Sequence, residues 1–469
     1  MRNVCFDNLW VAGTWRSHAT VTLDDAGEVC AISTDPADAR AAGERVAGLT
    51  LPGLANAHCH AFQRALGGWT QRAVSARDSF WSWREIMYAA AAALGYEDLE
   101  AIAARCYLDL LHGGYTEIGE FLYLHRLRAA DRSQRRAEDA LCAAAAEVGI
   151  GLTLLPALYQ HAGFGPLPPT EQQRLFVRTS AQYVDDWQAL RERLGTDGRV
   201  RLGIAFHSLR AVDLDTLAEV HAGLAAAAPD APVHLHIAEQ RSEVEACIAH
   251  HGLPPVALLA SRALLDERWA LVHATHATAA ELESVAAAGA TVVLCPTTEA
   301  DLGDGCPQVA QLLAAGGQIA IGSDSNVACQ ALAELRQLEW SERLRREQRN
   351  VLASAAETAV ADRLYAAVLA GGWRALGRGP LAAGRGTAAQ RADFVSYDAA
   401  TGDWAQHPPR NYLASLVFAA TPPLPRDVMV AGRWVIRDGM HAAERQIDAR
   451  YRATLQRLAP ALARALEHR

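Results

Sequence analysis

Apolar and polar positions along the chain change their period twice, and the changes divide it into three parts. In ATVTLDDAGEVCAIS (19–33) apolar and polar residues alternate on both sides of Asp25-Ala26-Gly27, the pattern of two strands joined by a turn. RADFVSYD (391–398) and VMVAGRWVIRDGMH (428–441) return to that texture, the second with a tight turn at Gly432. Neither end carries enough strands to close a sheet alone, so residues 1–50 and 381–446 are expected to build one small β-sandwich together. From Ile447 onward Arg, Leu and Ala recur at helical spacing, which predicts a terminal helix over 447–469.

Between these ends, short apolar runs are separated by longer stretches rich in Ala, Leu and Glu. Eight runs read as strands: LPGLANAH (51–58), YTEIGEF (115–121), GLTLLPAL (151–158), RLGIAF (201–206), PVHLHIAE (232–239), WALVHAT (269–275), TVVLCP (291–296) and IAIGSD (319–324). The intervening segments read as helices; EDLEAIAARCYLDLLHGG, for example, ends on the stop signal Gly113-Gly114. Strand and helix alternating eight times predict an α/β fold, a (β/α)8 TIM barrel over residues 51–380.

At 469 residues the chain is long enough for a large domain and a smaller one. A formal net charge of −9, with no basic run, argues against nucleic acid as a partner. The start, MRNVCFDNLW, has no apolar signal core and no segment reaches membrane-spanning length, so no membrane partner and a cytoplasmic location are expected. The nine cysteines are scattered, without a Cys-x-x-Cys pair, and read as reduced thiols. A zinc site would therefore be built from His and carboxylate.

Polar residues gather where the barrel strands end, the rim on which such barrels carry their active sites. His58 and His60 share one face of the first strand because side chains alternate, while Cys59 points away. Glu120 and Tyr123 follow strand two; strand four ends in His207, with Arg210 one helical turn later. His234, His236 and Glu239 belong to strand five, His273 and His276 to strand six, and Asp324 to strand eight. In a closed barrel strands one and eight are neighbours, so His58, His60, His236 and Asp324 can reach one point at the mouth. Zinc takes neutral imidazole and carboxylate ligands and activates water near neutral pH. Glu239 is then placed to carry a proton to a leaving nitrogen and His273 to polarise the electrophile. Other polar residues have simpler readings. His234 is expected to be hydrogen-bonded behind His236, and His276 to cap the following helix. His161, His207 and His221 read by default as ordinary polar histidines, Trp81 and Trp83 as packing, and SERLRREQRN (341–350) as a solvated helix face.

The combination of His-x-His, His-x-x-Glu, His and Asp after strands one, five, six and eight resembles the amidohydrolase superfamily. The stretches HAFQRALGG, FWSWREIMY, EFLYLH, FHSLRAV, HIAEQ, HATH, CPTTEADLGDG, IGSDSN and ELRQLEW are similar, within it, to the N-formimino-L-glutamate deiminases of histidine degradation. The resemblance covers essentially the whole chain. It implies hydrolysis of N-formimino-L-glutamate to N-formyl-L-glutamate and ammonia. It also implies one zinc per subunit on His58, His60, His236 and Asp324, and a homodimer. Substrate contacts fall on Gln63, Arg84, Tyr123, His207 and Arg210, and the formimino group falls to Glu239 and His273, with Asp324 taking the proton from water. The residue types agree with that reading, because a substrate with two carboxylates calls for arginine forks. Three positions depart from the pattern. Cys59 stands where Ser is usual, Asp301 where Asn is usual and Asn326 where His is usual; the last two are expected in loops near the rim, bearing on substrate positioning. The alternative is a related zinc deaminase acting on a cyclic amidine such as a purine, pterin or triazine, which would give Arg84 and Arg210 no carboxylate to bind. A non-catalytic relative should have lost ligands, and an arginase-type hydrolase would need a two-metal aspartate cluster that the chain lacks.

Overall fold

The structure, a computed structural model, describes residues 1–73, 78–128, 136–195, 198–379, 390–398, 403–419 and 423–467. Eight parallel strands form the central sheet: Leu54–Cys59, Tyr115–Leu122, Gly151–Leu158, Ile204–Ser208, Val233–Ile237, Trp269–His273, Thr291–Leu294 and Gln318–Ile321. They neighbour one another in chain order, with the short strand Val200–Leu202 added beside the third. The ring is nearly closed: the first and eighth strands meet through one parallel bridge, Cys59 with Asp324. Strands covered on both faces need near-continuous apolar sequence, which is why these runs scarcely alternate. Small side chains, among them Ala57, Ala270, Val272, Val293 and Ala320, fill the ring's interior.

The helices between strands are delimited by local chemistry. In Ala279–Ala288 the Thr278 hydroxyl accepts from the Glu281 amide, the Glu281 carboxylate accepts from Thr278 in return, and left-handed Gly289 ends the helix. Thr278 is thus the cap that the sequence suggested for His276, whose amide instead donates to the Ala238 carbonyl. In helix Ala331–Arg346 the face read as solvated hides Glu342, which is buried and accepts from Arg345, Arg346 and the Ala310 amide.

The chain ends supply a second, mixed sheet of eight strands. Glu44–Pro52 pairs parallel with Arg2–Val11 and antiparallel with Phe394–Tyr397, so that residues from both ends share one core including Val4, Phe6, Val46, Phe394 and Met429. The stretch 390–397 changes partners midway. Gln390–Arg391 pairs with Glu28 and Val29, and Phe394–Tyr397 with Glu44–Pro52 and Asp427–Val430, which folds the sheet over its core. The run expected as one strand at 51–58 is split here: Leu51 and Pro52 finish a strand of the end sheet, and the barrel strand begins at Leu54. Gly53 is the break, because a Cβ there would lie 2.3 Å from the Thr116 side chain. The division placed between residues 380 and 381 falls outside the described residues. The final helix, Glu444–Glu467, packs on the barrel helices Phe80–Ala93 and Tyr96–His112, with Arg105–Asp448 and Arg457–Asp98 ion pairs along the seam. No helix among the described residues is long and apolar enough to cross a membrane.

Glu117 joins the two sheets. It is fully buried on the second barrel strand and accepts from Arg378 at 2.9 Å, Arg391 at 2.7 Å and the Thr153 hydroxyl at 2.9 Å. Burial alone would raise its pKa; Arg378 and Arg391 outweigh that and hold it below the ordinary 4.5. Removing one member of such a cluster strands buried charge, so Glu117→Gln should lower unfolding free energy by about 3 kcal/mol at neutral pH in urea titrations. A depressed carboxylate pKa contributes stability above its unfolded value, lost as pH falls through the folded one, so the gap between wild type and variant should narrow in acid.

Candidate active site and metal centre

Three imidazole nitrogens converge at the barrel mouth. His58 Nε2 lies 3.1 Å from His60 Nε2 and 3.0 Å from His236 Nε2. A carbonyl can only accept, so the 2.9 Å contact of His60 Nδ1 with the Phe121 carbonyl and the 2.8 Å contact of His236 Nδ1 with the His207 carbonyl place the ring protons on Nδ1. The Nε2 lone pairs of both rings therefore face the centre. Burial holds all three histidines below the ordinary imidazole pKa, His60 at about 3, which keeps them in the neutral form that binds metal. Asp324 Oδ1 stands 3.5 Å from His58 Nε2 and 3.4 Å from His60 Nε2. Its pKa, which burial alone would raise, is held below the carboxylate range by His58, His60 and His273. Converging lone pairs and one carboxylate repel one another unless a cation lies among them, and three nitrogens with one oxygen suit zinc. This donor set fits the ion that the sequence suggested.

The other oxygen of Asp324 faces a second group. Asp324 Oδ2 is 3.8 Å and Glu239 Oε1 3.9 Å from His273 Nε2, while His273 Nδ1 is 3.3 Å from Glu299 Oε1. Burial alone would lower the His273 pKa, and these carboxylates instead raise it to about 10, so the ring is cationic. Burial raises Glu239 to about 7, with His273 opposing the shift and Asp324 and Glu243 adding to it. Left-handed backbone at Ala238, His273, Ala274, Asp324 and Asn326 turns the chain sharply at the ends of strands five, six and eight. Such strain at residues other than glycine collects where function imposes it.

One cavity adjoins the centre. His60, Gln63, Arg84, Tyr123, His207, Arg210, His236, Glu239, His273 and Asp324 all line it, while His58 lies beneath, fully buried. Gln63 donates to the Tyr123 hydroxyl at 2.8 Å and keeps its own buried carbonyl oxygen unpartnered. Neither Arg84 nor Arg210 forms a salt bridge or a side-chain hydrogen bond among the described residues, and Arg84 Nε is buried without a partner.

Several residues sit differently from their sequence reading. Glu120 lies within strand two and points away from the cavity, accepting from the Ala61 amide and the Tyr107 hydroxyl. His234 contacts the Ala375 carbonyl at 2.7 Å, away from the centre, as expected of a hydrogen-bonded residue. Asn326 lies in the loop after strand eight, but its side chain is buried behind the ligands, donating to the His60 and Asp324 carbonyls and accepting from Ser323 and Cys59. Asp301 lies in helix Pro296–Leu302 and pairs with Gln71. Sequence reasoning missed Glu299, within a quoted stretch but given no role, and the aromatic wall of Tyr88, Tyr159 and Phe176. Gln173 ties that wall together, donating to the Tyr159 hydroxyl at 2.8 Å and that of Tyr88 at 3.4 Å. The helical spacing of Trp81, Arg84 and Tyr88 was the available signal, since such residues share one face.

Comparison with known proteins adds four likenesses. The model of the amidohydrolase family matches residues 49–435. The formimidoylglutamate deiminase of Pseudomonas aeruginosa is 46% identical over 412 residues, covering 87% of this chain and 89% of that one. A 5-methylthioadenosine/S-adenosylhomocysteine deaminase of Halobacterium salinarum is 28% identical over 447 residues, 92% of this chain and 93% of its own length. The crystal structure of an amidohydrolase from Brucella melitensis superposes with a TM-score of 0.88 at 37% identity, over 98% of this chain and all of that one.

If the four donors hold an ion, zinc added to metal-free protein should raise the melting temperature, as binding to the folded state alone requires. His236→Ala should abolish that rise, and metal analysis of the dialysed variant should find less than a tenth of the wild-type zinc, judged against the roughly 10–100-fold losses that even outer-shell changes produce.

Proposed function

The chain belongs to the amidohydrolase family, and from that premise we propose that it hydrolyses N-formimino-L-glutamate to N-formyl-L-glutamate and ammonia, the reaction class named for its Pseudomonas relative and consistent with histidine degradation. One observation carries the substrate: two guanidiniums, Arg84 and Arg210, face the cavity of the candidate metal donors and form no salt bridge among the described residues, although Glu243 and Glu239 attract Arg210 from farther off. Half-buried cations without a salt bridge call for anionic ligands, and arginine binds carboxylates through paired, directional hydrogen bonds. Gln63, Tyr123 and His207 add polar edges to the same wall. Of the substrates in the Halobacterium relative's name, 5-methylthioadenosine would leave both guanidiniums unmatched and S-adenosylhomocysteine, with one carboxylate, would match only one.

Zinc held by His58, His60, His236 and Asp324 would supply the Lewis acidity that activates water near neutral pH. Asp324 Oδ2, turned away from the imidazole triad, accepts the proton of the attacking water. His273, cationic, donates a hydrogen bond toward the oxygen as the formimino carbon becomes tetrahedral, and Glu299 holds the ring from behind. Glu239, whose pKa near 7 lets it hold and release a proton, delivers one to the nitrogen that departs as ammonia when the C–N bond breaks, and takes up the remaining hydroxyl proton as the C=O bond forms. The same reading carries one zinc per chain, a cytoplasmic location and a homodimer. The donor set supports the zinc and nine free thiols a reducing compartment, while the dimer rests on resemblance alone.

Zinc-loaded protein should release ammonia from N-formimino-L-glutamate, with Arg84→Met and Arg210→Met each lowering kcat/KM at least about a hundredfold, the loss expected when a charged hydrogen bond to substrate is removed. Glu239→Gln should keep its zinc and lose about 100- to 10,000-fold in kcat, the range for a general acid. No ammonia from folded, zinc-loaded wild type would remove this substrate.

A further inference from the structure

Arg84 and Arg210 pose a physical problem that the proposed substrate solves only once it is bound. Two cations line one wall of the cavity with no salt bridge among the described residues to hold either side chain, and only Arg210 has carboxylates, Glu243 and Glu239, attracting it from farther off. What both share is Trp81. The Arg84 guanidinium carbon lies 4.4 Å from the Trp81 ring centroid and that of Arg210 lies 5.9 Å from it. Trp81 is not part of the cavity wall and stays 40% exposed, outside the two guanidiniums on the first turn of helix Phe80–Ala93. Arg84 also lies 5.4 Å from the Tyr88 ring on its other flank.

We propose that Trp81 is the positioning residue for carboxylate recognition: its indole holds both guanidiniums in place for a substrate with two carboxylates, and so sets the preference for such substrates. The proposal deepens the reading of the site given above and rests on it. The chemistry favours an aromatic ring over an acidic side chain in this place. A carboxylate would occupy the N–H edges that the substrate needs, whereas a ring engages the guanidinium face and leaves those edges free. An exposed tryptophan outside the pocket thus does what a salt bridge could not do without blocking the site.

The test compares Trp81→Ala and Trp81→Phe with wild type, using glutarate and butyrate binding by calorimetry beside steady-state ammonia release. Trp81→Ala should weaken glutarate about tenfold, as expected for losing two cation–π contacts, while butyrate, which engages one guanidinium at most, weakens less. KM for N-formimino-L-glutamate should rise by a similar factor with a smaller change in kcat, and Trp81→Phe should recover most of both losses. Equal glutarate affinity in Trp81→Ala and wild type, or a fall in kcat at unchanged KM, would overturn the role. Unchanged melting temperature and zinc content in both variants separate positioning from misfolding. If wild type binds glutarate but turns over no N-formimino-L-glutamate, the substrate reading fails on its own, and the calorimetric comparison still decides the role of Trp81.

Discussion

The barrel closes and the metal donors assemble in the same few atoms. Strands one and eight share a single bridge, in which the Asp324 amide donates to the His58 carbonyl and the His60 amide to the Asp324 carbonyl, each at 3.0 Å. Those backbone contacts set the two histidines and the aspartate at a fixed separation. Asn326, in a left-handed conformation, locks the junction by donating to the carbonyls of both His60 and Asp324. Strand five then needs only one imidazole, His236, to complete the donor set. A seam made of ordinary side chains would close the sheet as well, but it would leave the site to be built elsewhere.

Around that seam the charge is sorted by position. Neutral imidazoles occupy the floor, a cationic His273 sits among carboxylates on one side, and two guanidiniums without a salt bridge among the described residues stand on the other. The chain's net charge of −9 has little bearing here, because burial removes the water that would screen these groups and lets the nearest neighbours decide. The proposed dianionic substrate would be drawn by two local cations in a protein whose average field repels it.

Much of this arrangement was legible in the order of residues, and the exceptions have physical causes. Alternation along a strand places His58 and His60 together whatever the surroundings, and ring closure brings Asp324 beside them, so periodicity and topology suffice for that part of the site. Gly53 was harder to read. Its role depends on Thr116 in a neighbouring strand, and no local pattern announces a steric contact across that distance. Asn326 looked like a rim residue because loops after barrel strands usually face the substrate, yet its side chain turns inward to give the His60 and Asp324 carbonyls a second donor. Trp81 reads as packing in any helical pattern. Only the positions of Arg84 and Arg210, one of them on another element, show what its ring holds.

The sheet made from both chain ends sets a timetable for synthesis. Glu44–Pro52 takes one neighbour from Arg2–Val11 early, but its other edge waits for Phe394–Tyr397, with Phe394 opposite Pro52. At the usual pace of translation that edge stays unpaired for roughly 20 to 70 s while the whole barrel emerges. An open, apolar strand edge on a nascent chain is a surface that other chains can join. The N-terminal strands are made first and finished last, and a chaperone that shields them in the interval would protect the protein through its longest vulnerability.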